Sequence, residues 1–252
     1  MTKIMWTATA AAALLAASTA QASTVVVTPT AMDGWTNPAG DNTGGGHSDI
    51  TGAVARNGNG SLEMFGDRTR FVRPTLVALA DVLSLTYDWR VAGNSVSNLD
   101  PDLTPALRLN IIDGAQGSSL IWEGAYNGLY GTVNADTWYS TTSSSTFYKR
   151  LSGAPGGTEN DERTISAWLG DYSANALVYS ISVGVGSSAG GGYHAFADNV
   201  TLATTGGSTT WNFEANGGAV PEPASWALML MGFASLGAML RRARRGGAFA
   251  TA

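Results

Sequence analysis

Cysteine is absent from this chain of 252 residues, and histidine occurs only twice, as His47 and His194. The lack of cysteine excludes disulfide bonds, thiolate catalysis and cysteine-ligated zinc. Two histidines are too few for a metal centre built from several of them. Lysine and glutamate are scarce, whereas glycine, serine, threonine, asparagine and aspartate are abundant. The fold must therefore be stabilised by its core, and its composition is typical of a turn-rich β protein.

Basic residues are also few in the central part of the chain. Residues 23–219 contain nine basic residues against eighteen acidic ones, a net charge of −9. This excess of negative charge argues against a nucleic-acid partner. About 200 residues are enough for one domain with a sizeable core.

The N-terminal segment has the features of an export signal. Lys3 is the only charge before Asp33, an alanine- and leucine-rich run covers residues 8–17, and Ala20-Gln21-Ala22 offers the small-x-small pattern of signal peptidase. We expect residues 1–22 to be a signal peptide, cleaved by signal peptidase so that Ser23 becomes the first residue. An uncleaved signal anchor is the alternative.

The C-terminal segment has three parts. The motif Val220-Pro221-Glu222-Pro223 precedes an uncharged run over residues 224–240. Seventeen residues of helix reach about 25 Å, close to the thickness of a hydrocarbon core. We therefore predict a single transmembrane helix over residues 224–240, whose entrance suits the two prolines. The run ends at a cluster of arginines that the positive-inside rule leaves in the cytoplasm with the short extension 246–252: Arg241, Arg242, Arg244 and Arg245.

This tail resembles the PEP-CTERM sorting signal of Gram-negative bacteria, which is also labelled as an ice-binding protein C-terminal domain. The resemblance covers residues 220–245 and says nothing about ice binding. It implies that an exosortase-like enzyme recognises Val220, Pro221, Glu222 and Pro223 as substrate positions and cuts near them. The protein would then be held transiently in the inner membrane and end at the cell surface or outside the cell. The alternative is a permanent C-terminal anchor, in which the prolines only begin a helix.

Apolar residues alternate with polar ones along several runs, as expected for half-buried strands. The clearest is 82–91, where Leu83, Leu85, Tyr87, Trp89 and Val91 share one face. The remaining predicted strands are 61–65, 107–111, 120–123, 137–140, 164–169, 179–185, 193–202 and 209–213. In 179–185, Tyr179 is predicted to share the inward face with Ile181, Val183 and Val185. No part of residues 23–219 has a convincing helical pattern. These strands predict an all-β fold, a β-sandwich of jelly-roll type.

The predicted domain is similar to jelly-roll carbohydrate-binding modules and concanavalin-like lectins, on the strength of residues 59–64 and 193–202. Period two places Asp198 on the face of His194, Phe196, Val200 and Leu202. A buried carboxylate must be paired, hydrogen-bonded or bound to metal. The resemblance implies a structural calcium ion at Asp198 with Glu63 as a partner. Hydrogen bonds from the backbone, or exposure through a bulge, are the alternatives; we expect no other cofactor.

Tryptophans outside the predicted core stripe are candidates for stacking on sugar rings. We predict this role for Trp35 and Trp138, which lie in polar, loop-like surroundings. We find no catalytic spacing, although Glu123 could form a carboxylate pair with Asp88 or Asp113. We therefore expect a non-catalytic surface or matrix protein that binds extracellular polysaccharide. The alternatives are a polysaccharide hydrolase and a passive membrane-anchored protein.

Overall fold

The computed structural model describes residues 21–153, 157–217 and 229–235 of the chain. The predicted signal peptide up to residue 20, the motif at 220–223 and the arginines at 241–245 lie outside the described residues. Of the predicted transmembrane helix, only residues 229–235 are described, and they are helical. In the described ranges, no helix has both the length and the apolar character needed to cross a bilayer.

Thirteen strands form within the described ranges. The first six are β1 (Gln21–Val27), β2 (His47–Thr51), β3 (Ser61–Phe65), β4 (Thr69–Ala78), β5 (Val82–Val91) and β6 (Ala106–Asp113). The next four are β7 (Gln116–Trp122), β8 (Tyr139–Ser140), β9 (Phe147–Leu151) and β10 (Thr158–Arg163). A single helical turn, α1 (Ile165–Trp168), precedes β11 (Leu177–Val185), β12 (His194–Thr204) and β13 (Gly207–Phe213).

The strands form two sheets that pack as a sandwich. The six-stranded sheet has the order β10-β9-β7-β6-β11-β4, with every neighbouring pair antiparallel. The seven-stranded sheet follows the path β1-β13-β12-β3-β2, and β5 joins it beside β12 and carries β8. Strand β1 is parallel to β13, with Gln21 beside Gly207 and Val27 beside Phe213. The prediction of an all-β sandwich is confirmed.

The core lies between the sheets. On β6, Leu107, Leu109 and Ile111 are buried in the main apolar cluster, while Arg108 and Asn110 lie on the other face. The alternation of apolar and polar residues therefore separates an inner face from an outer face, as it does in antiparallel sheets generally. This outer face of the six-stranded sheet carries the site described below.

Three local predictions are wrong, each for a local reason. Residues 164–169 form α1 and a following turn instead of a strand, because the Thr164 side chain accepts a hydrogen bond from the Ala167 N–H and caps a helix. Leu83 is 58% exposed, since the inward set of β5 begins at Val82 and resumes at Leu85. Tyr179 is exposed because the register of β11 shifts between Val178 and Ser180.

Candidate functional site: a groove on the six-stranded sheet

A groove crosses the outer face of the six-stranded sheet. One part has a volume of about 430 Å³ and a second, of about 260 Å³, continues from it through Arg70, Ser119 and Ser152. The pairing of the strands explains which side chains form the floor of the groove. Arg108 of β6 lies between Ser182 of β11 and Ile121 of β7, and Ile121 in turn pairs with Tyr148 of β9.

Four arginines line this groove: Arg68, Arg70, Arg108 and Arg150. Together with Glu123 and Tyr148 they are called the arginine groove below. Arg108 is only 2% exposed, and its nearest carboxylate oxygen is Oε1 of Glu123, 3.8 Å from Nη2. Arg68 pairs with Asp41 at 3.4 Å. Within the described ranges, Arg70 and Arg150 make no ion pair.

The positive charges of the arginines repel one another. The Arg108 guanidinium, followed by burial and by the charges of Arg68 and Arg150, lowers the pKa of Arg70 to about 9. The Nε–H groups of Arg68, Arg70 and Arg108 are buried and have no hydrogen-bond partner in the described structure. The groove therefore presents buried donors that its own residues do not satisfy.

Glu123 is the acidic group of the groove. Its side chain is 19% exposed. Burial raises its pKa, while the Arg108 charge and the Tyr148 hydroxyl act in the opposite direction. Burial and the Glu123 charge likewise raise the pKa of Tyr148, so its phenol stays protonated at neutral pH. The groove thus contains a mostly buried carboxyl group, Glu123, and a protonated hydroxyl group, Tyr148, that can donate a hydrogen bond.

Polar side chains continue the groove across the next row of the sheet. The Asn110 amide donates to Ser180 Oγ at 2.9 Å and its oxygen accepts from Ser119 Oγ at 2.8 Å. Ser182 Oγ, which lies between Val72 and Arg108 in the register, is buried without a hydrogen-bond partner. This row presents hydroxyl and amide groups in a line across three strands.

Two exposed tyrosines lie near the groove without lining it. Tyr126 packs against Tyr148 with the ring centroids 4.3 Å apart, and it is 39% exposed. Tyr130 is also exposed. Partial burial is the main cause that raises its pKa, and the charge of Glu123 is the second. Exposed rings next to polar groups suit the stacking of an amphipathic ligand such as a sugar.

Asp198 is buried at a second place, in the seven-stranded sheet. Its Oδ1 accepts from the N–H groups of Phe213 and Asn199, both at 2.8 Å, and its Oδ2 has no partner in the described structure. Burial, opposed by backbone hydrogen bonds and reinforced by the charge of Glu214, raises the pKa of Asp198 to about 7. Asn199 has φ of +49°, and the register with β5 shifts between Asp198 and Thr201.

Glu214 is the carboxylate beside Asp198. It is fully buried, accepts from the Asn59 N–H at 2.5 Å and the Asn212 amide at 2.8 Å, and lies against Gly58. Asp198, Glu214 and the loop 57–59 are called the carboxylate cradle below. In the described ranges, no group of three or more histidine, cysteine, aspartate or glutamate side chains could hold a metal ion.

Glu63 is not part of the carboxylate cradle. Its two oxygens accept from Thr51 Oγ1 at 2.6 Å and lie 2.8 Å from His194 Nε2. His194 and Phe196 share their face of the sheet with Glu63, whereas Val200 and Leu202 belong to the core. The bulge after Asp198 changes which residues face inward, so the prediction that all these residues share one face is wrong.

The two tryptophans predicted to stack on sugar differ in burial. Trp35 is 1% exposed and stacks on Phe71 with centroids 5.3 Å apart, so it belongs to the core and offers no free ring face. That expectation is corrected. Trp138 is half-buried, with the Arg56 guanidinium 6.0 Å from its ring. It does not line the arginine groove.

Sequence reasoning named few members of either site. Asp198 and Glu123 were both identified, but with the partners Glu63, Asp88 and Asp113 instead of Glu214 and Arg108. The signal for the groove was its charge: four of the nine basic residues of an acidic domain occur at 68, 70, 108 and 150. Recognising it required β4 and β9, which the apolar pattern did not predict.

Comparison with known proteins gives one match to a family model. Residues 219–245 match the PEP-CTERM protein-sorting motif, which confirms the prediction made from Val220 to Pro223 and indicates an exported protein sorted to the cell envelope or surface. No curated protein matches the chain. Among solved structures, it is similar to the carbohydrate-binding module TmCBM61 in complex with β-1,4-galactotriose, at 12% identity and a TM-score of 0.31 over 68% of this chain and 86% of that one.

Proposed function

We propose that this chain, which carries a PEP-CTERM sorting motif at residues 219–245, is cut by an exosortase-like enzyme and displayed as a non-catalytic polysaccharide-binding protein. Signal peptidase removes residues 1–22, and residues 224–240 hold the protein in the inner membrane until the tail is cut. The product belongs to the cell surface or the extracellular matrix. The sorting motif supports the route, and the groove supports the binding.

One observation carries the binding proposal: an open groove with polar side chains along its floor and exposed tyrosines close to it. Sugars present hydroxyl groups at their edges and apolar C–H groups on their faces, so they need both kinds of partner. The row of Asn110, Ser119 and Ser180 supplies donors and acceptors, and Tyr126 and Tyr130 supply ring faces. The groove crosses several strands and has the form expected for an extended chain.

The export route predicts a defined mature protein. The intact mass of the product from cells and medium should correspond to a chain that begins at Ser23 and ends near Val220. Joint replacement of Pro221 and Pro223 by alanine should retain the tail, whereas Pro38→Ala in the exported domain should not. A wild-type product that keeps residues 241–252 would identify a permanent anchor and overturn the processing step.

The binding proposal is tested with the full chain in detergent on a glycan array. We expect binding to at least one extracellular polysaccharide, weakened by Tyr126→Ala or Tyr130→Ala. Leu83→Ala, an exposed apolar residue of the other sheet, is the matched control. No binding at millimolar sugar, or equal binding by all four proteins, would contradict the proposal and favour a passive structural role.

We retain the calcium proposal, with Glu214 in place of Glu63. The residues of the carboxylate cradle fit a hard cation, because Oδ2 of Asp198 is buried without a partner and a second carboxylate lies beside it. Asp198 and Glu214 would hold the ion together with oxygens of the loop 57–59. Calcium bound there would offset the repulsion between the two carboxylates and stabilise the end of β13.

A hydrolase is the second candidate, because burial raises the pKa of both Glu123 and Glu162. The charge of Glu123 raises the pKa of Glu162 further. Raised pKa values in neighbouring carboxyl groups occur in glycosidases. Release of reducing ends from a bound polysaccharide, abolished by Glu123→Gln, would favour this candidate. Binding without release of reducing ends would leave the non-catalytic proposal in place.

A further inference from the structure

We infer that the arginine groove binds a polysaccharide whose sugars carry carboxylate groups, with one carboxylate seated among Arg70, Arg108 and Arg150. This inference rests on the proposed polysaccharide binding and adds the chemical class of the ligand. It follows from three features of the groove: its charge, its unsatisfied donors and its shape.

The groove is positively charged, whereas the domain as a whole is negatively charged. Four guanidinium groups line this groove, and among the described residues its lining contains two carboxylates, Asp41 and Glu123. Arginine stays charged under physiological conditions, and like charges close together in a partly buried place repel one another. An anion between them would remove this repulsion, and none of the described residues supplies one.

The donors of the groove point to the same conclusion. Arg108 is almost completely buried, and its contacts are a long hydrogen bond of 3.5 Å to the Ala106 carbonyl and the 3.8 Å approach to Glu123. The buried Nε–H groups of Arg68, Arg70 and Arg108 lack partners. Unmet buried donors are costly, so these guanidinium groups are poorly compensated by the protein itself. A bound oxyanion would compensate their charge through the accessible parts of Arg70 and Arg150.

The shape and the surroundings favour a uronate-bearing chain over a small anion. The planar guanidinium group matches a carboxylate through two parallel hydrogen bonds. The groove extends beyond the arginines in one direction to Asn110 and Ser180, and in the other to Tyr148, against which the exposed Tyr126 packs. A free anion would use only the centre, whereas a polymer of acidic sugars would use the whole length.

The test compares two polymers of the same sugar backbone, one with carboxylate groups and one with neutral methyl esters in their place. Polygalacturonate and its methyl-esterified form are titrated against the full chain in detergent, with Arg241, Arg242, Arg244 and Arg245 changed to glutamine so that the tail adds no cationic background. We expect polygalacturonate to bind at least about tenfold more tightly than the ester. Binding should weaken as NaCl rises from 50 to 500 mM, because salt screens the interaction.

Variants locate the effect. Arg150→Gln, at an exposed position, and Arg70→Gln should each reduce the preference for polygalacturonate about tenfold or more. Arg56→Gln, at an exposed position in the loop between β2 and β3 that pairs with Asp88, should leave this preference unchanged. If Arg70→Gln fails to fold, Arg150→Gln alone decides, since its side chain lies at the surface.

The outcomes separate this inference from the proposed function. Equal binding of the two polymers, or a preference that Arg150→Gln leaves intact, overturns the carboxylate inference while polysaccharide binding stands. A stronger arginine-dependent preference for dextran sulfate than for polygalacturonate also overturns it, because the groove would then select sulfate. Absence of binding to every glycan rejects both the inference and the proposed function.

Discussion

Replacing Gly58 by alanine should destabilise the protein far more than its backbone conformation alone predicts. Gly58 has φ of +74°, and an added Cβ would lie 1.8 Å from Oε1 of Glu214. The buried carboxylate would have to move, which disrupts its hydrogen bonds from the Asn59 N–H and the Asn212 amide. The change therefore acts on the carboxylate cradle as a whole.

The magnitude follows from two contributions. The positive φ costs about 1 kcal/mol for a residue with a Cβ. Loss of one or two hydrogen bonds to a buried charge adds about 2 to 4 kcal/mol. Gly131 isolates the first contribution, because its φ is +72° and an added Cβ would meet nothing within 4 Å. We expect Gly131→Ala to cost about 1 kcal/mol and Gly58→Ala about 3 to 5 kcal/mol.

Urea unfolding at pH 7.5 measures both free energies by linear extrapolation. The m-value should be the same for the two variants, so that the midpoint reports stability alone. Equal destabilisation by Gly58→Ala and Gly131→Ala would refute the reasoning, since Glu214 would then be free to move at no cost. A thermal melt of each variant provides an independent check.

Three further predictions concern the two carboxylates and the tryptophans. In EGTA, the contribution of Asp198 to the free energy of unfolding should fall by up to about 4 kcal/mol between pH 4 and 7, because the pKa of Asp198 rises from 3.8 to about 7 on folding and the protonated form is favoured. Urea titrations measure this contribution as the difference between the pH profiles of the wild type and Asp198→Asn. Calcium at millimolar concentration should raise the melting temperature at pH 7.5 for the wild type but not for Asp198→Asn, and an equal shift in both would reject the site. Trp35→Ala should cost about 3 to 5 kcal/mol as a core truncation, whereas Trp138→Ala should cost less in the same urea assay.

Some of the fold could be predicted from the sequence because burial imposes a simple pattern. Residues 82–91 and 61–65 were predicted with the bounds of β5 and β3, since apolar side chains mark the face that leaves water. Strand β9 was missed because its first three residues, Phe147 to Lys149, are all buried and do not alternate. Strand β10 was missed because it consists of the polar sequence TENDER at the edge of its sheet. An edge strand exposed on both sides carries no such pattern.

The sites could be predicted less well than the strands. Asp198 was identified from one face of one strand, but the bulge at Asn199 decides which residues share that face, and a positive φ at asparagine leaves no periodic signal. Its partner Glu214 comes from the end of another strand. The arginine groove depends on the register of β4, β6 and β9, and register is a property of the folded sheets.

Strand β13 sets how the domain would respond to tension. It lies between β1 and β12, and the N–H of Glu214, just after its end, is bonded to the Val27 carbonyl. In the proposed sorting route the membrane holds the tail, and a pull on the tail would then reach the domain through the end of β13. A load along that strand is shared by the hydrogen bonds on both of its sides, so they are sheared together and not opened one after another. The β1–β13 pairing thus makes the point of attachment the mechanically protected end of the domain.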